Sequence, residues 1–274
     1  MIDQYAVIGN PVAHSKSPYI HACFARQTGQ ELEYTRIVAE LDQFALRLNN
    51  FFAAGGRGLN VTVPFKQEAY ALAASLSPQA TLAGAVNTLM IDTNGRLYGH
   101  NTDGLGLVQD IIGNLGQVLR DRRILVLGAG GATRGILQPL LAEQPHSLFI
   151  ANRTPAKARE LAAIFSALGP VQGGGFDEVD AQPYDWVLNA TAASLQGELP
   201  PLPTGVVARQ TRCYDLMYAA EPTVFCKWAL TLGASLVSDG LGMLVEQAAE
   251  SFKLWRGIRP DTRSVIAELR RELT

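Results

Sequence analysis

Apolar and polar positions along this chain change period repeatedly. Tyr5-Ala6-Val7-Ile8-Gly9 is an apolar run of strand type, and Leu32 to Val38 alternates as a half-buried strand does. Between them Ser17-Pro18 opens a helix, with Ser17 as N-cap and the proline at the first helical position. Asp42 to Ala54 carries apolar residues at helical spacing and stops at Gly55-Gly56. Gly58 to Pro64 is β-rich, a helix runs on through Leu76, and Ala85 to Asp92 is another strand. Such alternation predicts a mostly parallel sheet. A helix from Asp103 to Leu115 bridges to a second unit. That unit has strands over 124–128, 147–152, Asp185–Asn189 and Arg212–Leu216, and a helix over 155–168. Gly173-Gly174-Gly175 and Pro200-Pro201-Leu202-Pro203 read as loops. After Ser238-Asp239-Gly240 come two amphipathic helices, Met243–Trp255 and Thr262–Leu273.

The pattern predicts an α/β chain of two doubly wound domains, 1–102 and 103–238. The helices of 239–274 are expected to return to the first domain. Within the second domain, Arg123-Ile124-Leu125-Val126-Leu127-Gly128-Ala129-Gly130-Gly131-Ala132-Thr133-Arg134-Gly135 reads as strand, tight turn and helix. A dinucleotide pyrophosphate meets backbone N–H groups at such a helix N-terminus. Thr133 stands where a third glycine is usual, while Gly131, Ala132 and Gly135 are small enough for close packing. The next strand ends at Asn152-Arg153-Thr154. An NAD site usually carries Asp or Glu there; Arg153, with Lys157 a helical turn on, suits a 2′-phosphate and so NADP.

Composition removes several alternatives. A net charge of -2 gives no basic field for nucleic acid, and Arg120, Arg122 and Arg123 read as a solvated lead into a strand. The first residues lack signal-peptide character, and no apolar run reaches membrane-spanning length. Three widely spaced cysteines suit a reducing cytoplasm, and four dispersed histidines give no metal-ligand spacing, so no metal is expected. A small-molecule substrate, no nucleic acid or membrane partner, and a monomer or homodimer are the expectations.

In open α/β sheets, ligands gather at the carboxyl ends of strands. Polar residues recur there in the first domain: Ser15 and Ser17; Asn60, Thr62 and Lys66; Asn87 and Thr88; Asn101, Thr102 and Asp103. Singly each has a structural reading as a cap, a turn residue or a solvated lysine. Together they point to a pocket for a small polyhydroxylated ligand.

This constellation resembles the shikimate dehydrogenase family over nearly the whole chain. The resemblance rests on His14-Ser15-Lys16-Ser17-Pro18, Asn60 through Lys66, Gly84-Ala85-Val86-Asn87-Thr88 and Asn101-Thr102-Asp103-Gly104. It continues through Gly128 to Ala132, Asn152-Arg153-Thr154, Asn189-Ala190-Thr191, Tyr214-Asp215-Leu216-Met217-Tyr218 and Asp239-Gly240-Leu241-Gly242-Met243-Leu244. It implies NADPH-dependent reduction of 3-dehydroshikimate to shikimate, in aromatic amino-acid biosynthesis. Ser15 and Ser17 would then hold the substrate carboxylate. Thr62, Asn87, Asp103 and Gln247 would hold the ring hydroxyls, with Tyr218 nearby and Asn60 also among the substrate-binding residues. Lys66, paired with Asp103, would be the acid/base; reducing a ketone puts negative charge on its oxygen, which needs a proton donor or a fixed cation. Cofactor contacts are implied at Gly128, Ala129, Gly130, Gly131, Ala132, Asn152, Arg153, Thr154, Lys157, Thr191, Leu216 and Gly240.

Two positions depart from the family pattern. Pro78 stands where an acidic cofactor contact is common, and Ala192-Ala193-Ser194 replaces a common Ser-x-Gly. Two other readings stay open. A quinate/shikimate dehydrogenase with relaxed cofactor use would favour Thr at the second serine and an acidic residue near Arg153. A non-catalytic NADP-binding sensor would be expected to lose Lys66 or Asp103, and this chain has both.

Overall fold

Glycine and proline punctuate the chain into short elements that collect into two sheets. The computed structural model describes residues 2–191, 193 and 197–273. Two compact units result: Met1–Gly106 with Val245–Val265, and Leu107–Leu244 with Ile266–Thr274.

The first unit contains β1 (Asp3–Gly9), α1 (Ser17–Thr28), β2 (Leu32–Val38), α2 (Phe44–Ala53), β3 (Gly58–Val61) and α3 (Lys66–Leu72). It continues with β4 (Ser75–Leu76), α4 (Pro78–Ala83), β5 (Thr88–Ile91) and β6 (Leu97–His100). Its sheet order is β2-β1-β3-β5-β6-β4. The sheet is mixed where the sequence suggested mostly parallel, because β5 runs antiparallel to both β3 and β6. The reversal is a tight turn: the Asp92 carboxylate accepts the N–H groups of Asn94 and Arg96, and Gly95 sits at φ +76. Asn94-Gly95 is a hairpin signal, and it accounts for β6, which periodicity alone does not mark. The helix expected through Leu76 stops at Leu72 and gives way to β4. Ser17 lies inside α1, whose N-cap is Lys16.

One face of this sheet buries Ala6, Ile8, Phe44, Leu59, Val61 and Phe65. The alternate residues Tyr5 and Val7 face the other way, with Tyr34 and Trp255. The Trp255 ring lies 2.4 Å from where a Gly58 Cβ would stand, so only glycine fits there. His21 completes this aromatic layer, its ring stacked on Tyr34 at 4.3 Å and bordered by Phe24, Phe252 and Trp255. Burial pushes its pKa down to about 3, so the imidazole is neutral.

The second unit contains β7 (Arg123–Leu127), α6 (Gly131–Ala142), β8 (Ser147–Ala151), α7 (Pro155–Phe165) and β9 (Val171–Gly174). Then follow β10 (Trp186–Asn189), β11 (Arg212–Asp215), α8 (Val224–Thr231) and β12 (Leu236–Ser238). The described sheet has order β12-β11-β10-β7-β8-β9 with every pairing parallel. Ile124 to Leu127 are buried, as a central strand covered on both faces requires. The triple glycine read as a loop is in part β9. At Gly173 a Cβ would stand 2.2 Å from the Ala158 carbonyl of α7, so the helix backbone rests directly on the strand. Arg123 is not simply solvated. Its guanidinium lies 4.8 Å over the Tyr184 ring and donates to Asp180 at 2.8 Å.

Helices α5 (Asp103–Gln109), α9 (Leu241–Arg256) and α10 (Arg263–Leu273) each contribute to both units. The expected helix to Leu115 becomes a π turn over Asp110–Asn114 after α5. The boundary falls at 106, not 102, and residues 266–274 group with the second unit instead of returning to the first. Within the second unit, Arg270 near the end of α10 forms a bidentate pair with Asp239.

Candidate active site

In the first unit, the ends of β3, β5 and β6 and the start of α5 converge on one polar cluster. Lys66, first residue of α3, places Nζ 2.6 Å from Oδ2 of Asp103, first residue of α5. Both side chains are only partly exposed, at 31% and 16%, so the pair has one side open to a ligand. Asn87 Nδ2 donates to the other Asp103 oxygen at 2.8 Å and lies 3.3 Å from Gln247 Oε1 on α9. Asn87 is itself fixed. Its Oδ1 accepts the Thr102 N–H at 2.9 Å and the Thr88 hydroxyl at 2.9 Å. Gly106 lets α9 come this close, since a Cβ there would stand 2.7 Å from the Gln247 nitrogen.

Asn60 lies beneath this cluster and not on its open side. It is buried, its Nδ2 reaches Asn87 O, Thr88 Oγ1 and Ser251 Oγ at 3.0–3.1 Å, and its Oδ1 accepts the Tyr34 hydroxyl at 2.8 Å. Both of its amide hydrogens have partners within the protein, so it supports the layer above. Ser15 and Ser17 form a separate pair with hydroxyls 3.2 Å apart, and Arg36 holds their turn by donating to the Ser15 carbonyl at 2.7 Å. Thr62 packs its methyl group against Gly9, where no Cβ would fit. Sequence reasoning missed Tyr34, Arg36 and Ser251. Ser251 is legible in hindsight, four residues from Gln247 on the same helical face; Tyr34 and Arg36 carry no local signal. Burial lowers the His100 pKa from its ordinary value, favouring a neutral ring.

In the second unit, Gly128 at φ +98 turns the chain out of β7, and Gly130 is the N-cap of α6. A Cβ on Gly130 or Gly131 would meet no protein atom within 4 Å, so packing within the protein does not require either glycine. Bare backbone there leaves N–H groups of the first helical turn open to an anion. Asn152 pins the loop: its Oδ1 accepts the Ala129 N–H at 3.2 Å and its Nδ2 donates to the Thr154 carbonyl at 3.0 Å. The Thr133 hydroxyl, in place of a third glycine, is buried and donates to Gly128 O at 2.8 Å. Ala132 is exposed beside the loop, and Arg153 and Lys157 are exposed with no side-chain partner among the described residues.

Thr191 donates to Asn189 Oδ1 at 2.7 Å. Asn189 donates to Asp215 at 3.0 Å, and the Thr223 hydroxyl donates to Asp215 at 2.7 Å. This buried chain holds the ends of β10 and β11. Leu216 and Gly240 meet backbone to backbone, since a Cβ on Gly240 would stand 2.1 Å from Leu216 O. Tyr218 belongs to this unit, and burial, with Asp239 adding, raises its phenol pKa above the ordinary value. Pro78 opens α4 in the first unit, with Ser77 as N-cap. Ala192 and Ser194 lie outside the described residues. The glycine loop, the open first turn of α6 and the two unpaired cations fit a phosphorylated dinucleotide.

The chain matches three family models. They are "Shikimate dehydrogenase substrate binding domain" over residues 7–89, "Shikimate / quinate 5-dehydrogenase" over 107–196 and "Shikimate 5'-dehydrogenase C-terminal domain" over 240–270. It is 55% identical over 273 residues to shikimate dehydrogenase (NADP(+)) of Cellvibrio japonicus, covering 100% of this chain and 99% of that protein. An Ael1 enzyme from Pseudomonas putida is similar with TM-score 0.92 and 47% identity, covering 97% of this chain and 98% of its own. The shikimate 5-dehydrogenase of Thermus thermophilus, solved in complex with NADP(H) and shikimate, has TM-score 0.86 and 33% identity over 100% of both chains.

Proposed function

The chain belongs to the shikimate dehydrogenase family, and we propose from that premise that it catalyses the reversible NADPH-dependent reduction of 3-dehydroshikimate to shikimate. The observation that carries this reading is the Lys66–Asp103 pair at 2.6 Å, set among Asn87 and Gln247 at the strand ends. NADPH, when bound, supplies a hydride to the carbonyl carbon. Arg153 and Lys157 would hold its 2′-phosphate, and the N–H groups of Gly130 to Ala132 its pyrophosphate.

The protein's own part is to place the ketone and manage the proton. The hydroxyls of Ser15 and Ser17 donate to the substrate carboxylate, fixing the end of the ring remote from the reacting carbon. Gln247 offers its amide and Thr62 its hydroxyl to ring hydroxyls, and Asn87, both of whose amide hydrogens are engaged, holds Asp103 beside them. Lys66 has three N–H bonds and gives one to Asp103. Another points at the substrate oxygen, where negative charge grows as the hydride arrives. Lys66 then passes its proton to that oxygen, completing the alcohol, and regains one from solvent. Asp103 keeps the ammonium aimed and accepts from the neighbouring hydroxyl. In the oxidative direction Lys66, having lost its proton, takes the one on the alcohol.

Three buried cysteines are consistent with the reducing cytoplasm as its place of action. The test is absorbance at the nicotinamide band with purified protein, NADPH and 3-dehydroshikimate. The expected result is cofactor oxidation matched by shikimate formation; absence of turnover overturns the reading. Running quinate and NADH in parallel separates it from the relaxed quinate/shikimate alternative.

A further inference from the structure

Ser15 and Ser17 offer a substrate only neutral hydroxyls, which lie 3.2 Å apart. An anion held by neutral donors alone gives up hydration and gains no counter-charge. The edge strand supplies a cation. Arg36 stands two residues after Tyr34 on β2, so the two side chains leave the same face of the sheet. On that face α1 lies over the strand, with the His21 ring stacked on Tyr34 at 4.3 Å. Two residues along a strand advance about 6.6 Å. The four residues from His21 back to Ser17 span about 6 Å of helix. The steps match, so Arg36 meets the entry to α1, where the serines are. The hydrogen bonds agree: Arg36 Nε and Nη2 donate to the Ser15 carbonyl at 3.2 and 2.7 Å.

Most of the guanidinium is left over. Its fork is shaped for a carboxylate, yet here two N–H groups share one neutral oxygen. Among the described residues no carboxylate pairs with Arg36 and no acceptor takes its Nη1 hydrogens, although the residue is exposed. Its charge is felt beside the serines. Burial raises the Tyr34 phenol well above its ordinary pKa, while the Ser17 hydroxyl and the Arg36 charge each oppose that rise.

We propose that Arg36 is a specificity-determining residue of the substrate site, its positive charge selecting an anionic carboxylate over a neutral group of the same shape on Ser15 and Ser17. The inference rests on the functional reading above, which seats the substrate carboxylate on those two hydroxyls. The serines set where the group sits, and Arg36 sets the charge it must carry. A neutral carboxamide can still hydrogen-bond to both hydroxyls but gains nothing from the guanidinium.

Calorimetric binding of shikimate and of its carboxamide tests this. The native chain is expected to bind shikimate at least about 10-fold more tightly, the scale of one cation a few ångströms from an anion near the surface. Arg36→Gln should weaken shikimate by about that factor and leave the carboxamide nearly unchanged. Glutamine keeps one donor for the Ser15 carbonyl, and the position is exposed on an edge strand, so the melting temperature should match the native chain. Arg36→Lys, which keeps the charge without the fork, should retain most of the preference for shikimate. Equal weakening of both ligands by Arg36→Gln overturns the proposal and reduces Arg36 to a brace for the serine turn. A Lys16→Gln variant that loses the preference as fully as Arg36→Gln also overturns it, because the charge would then belong to the N-cap of α1. Equal affinity of the native chain for shikimate and the carboxamide overturns the proposal and leaves the functional reading intact. A native chain that binds neither overturns that reading and this inference with it.

Discussion

The two units meet their ligands with opposite kinds of surface. In the first, Asn60, Asn87, Thr88 and Thr102 are buried and hydrogen-bond to one another. In the second, Arg153 and Lys157 are exposed, and the glycines at 130 and 131 face open space. A network already satisfied before the substrate arrives reorganises little and holds each group to a fraction of an ångström, which suits discrimination among ring hydroxyls. Exposed cations and backbone dipoles instead attract a polyanion from a distance and are screened by salt. On the proposed function, geometry would select in one unit and charge would recruit in the other.

The largest expected effect tests the preorganised side. Lys66→Ala should lower kcat by roughly 10²–10⁴ while the substrate Kd measured by calorimetry changes far less. Lys66→Arg should not restore turnover, because a guanidinium keeps the charge without cycling a proton. A large loss of affinity with near-normal kcat would place Lys66 in binding instead. Next, the double Ser15→Ala, Ser17→Ala variant should weaken substrate binding by about 10- to 150-fold, the loss of one to two hydrogen bonds to a charged group. Its NADPH affinity should hold; the reverse pattern would mean the carboxylate site is misplaced.

On the recruiting side, Arg153→Ala should raise KM for NADPH about 10-fold and barely change that for NADH. This gap should narrow between low and high salt, a dependence the serine variant should lack. Equal losses with both cofactors would remove the 2′-phosphate assignment.

A further effect concerns stability within the first unit. His21 has its pKa lowered from 6.5 to about 3 by burial, so the fold favours the neutral ring. That contribution is present above the unfolded pKa and is lost as pH falls through the window from 6.5 towards 3. Urea midpoints should show the native chain losing about 2 kcal/mol between about pH 7 and about pH 5 from this group. His21→Phe, which keeps the stacking on Tyr34, should flatten that part of the profile; an unchanged slope would assign it to other groups.

Much of the candidate site was legible as a set of residue types. Asn60, Lys66, Asn87 and Asp103 lie at strand ends or helix starts, and the strand-end rule with the family motifs was enough to name them. What the residues do to each other was not legible. Nothing local distinguishes Asn60, buried and fully engaged beneath the cluster, from Asn87, whose amide reaches Asp103. Depth in a site is set by which strands pair, and here it depends on β5 running antiparallel to β3, a pairing that joins Asn60 to Thr88, 28 residues away. Tyr34 and Ser251 were missed for the same reason, since they reach Asn60 only through long-range contact.

The chain's own pattern determined the elements with strong periodicity, the parallel cofactor sheet and its glycine turn, because hydrophobic period, turn chemistry and helix-terminus dipoles act over a few residues. Tertiary structure decided the rest. It made Gly173 part of a strand because α7 rests its backbone there. It paired Arg270 near the end of α10 with Asp239, 31 residues apart. It also brought Lys66 and Asp103, 37 residues apart, to 2.6 Å. Contacts of that kind depend on burial and charge pairing between distant segments, which no local window of sequence contains.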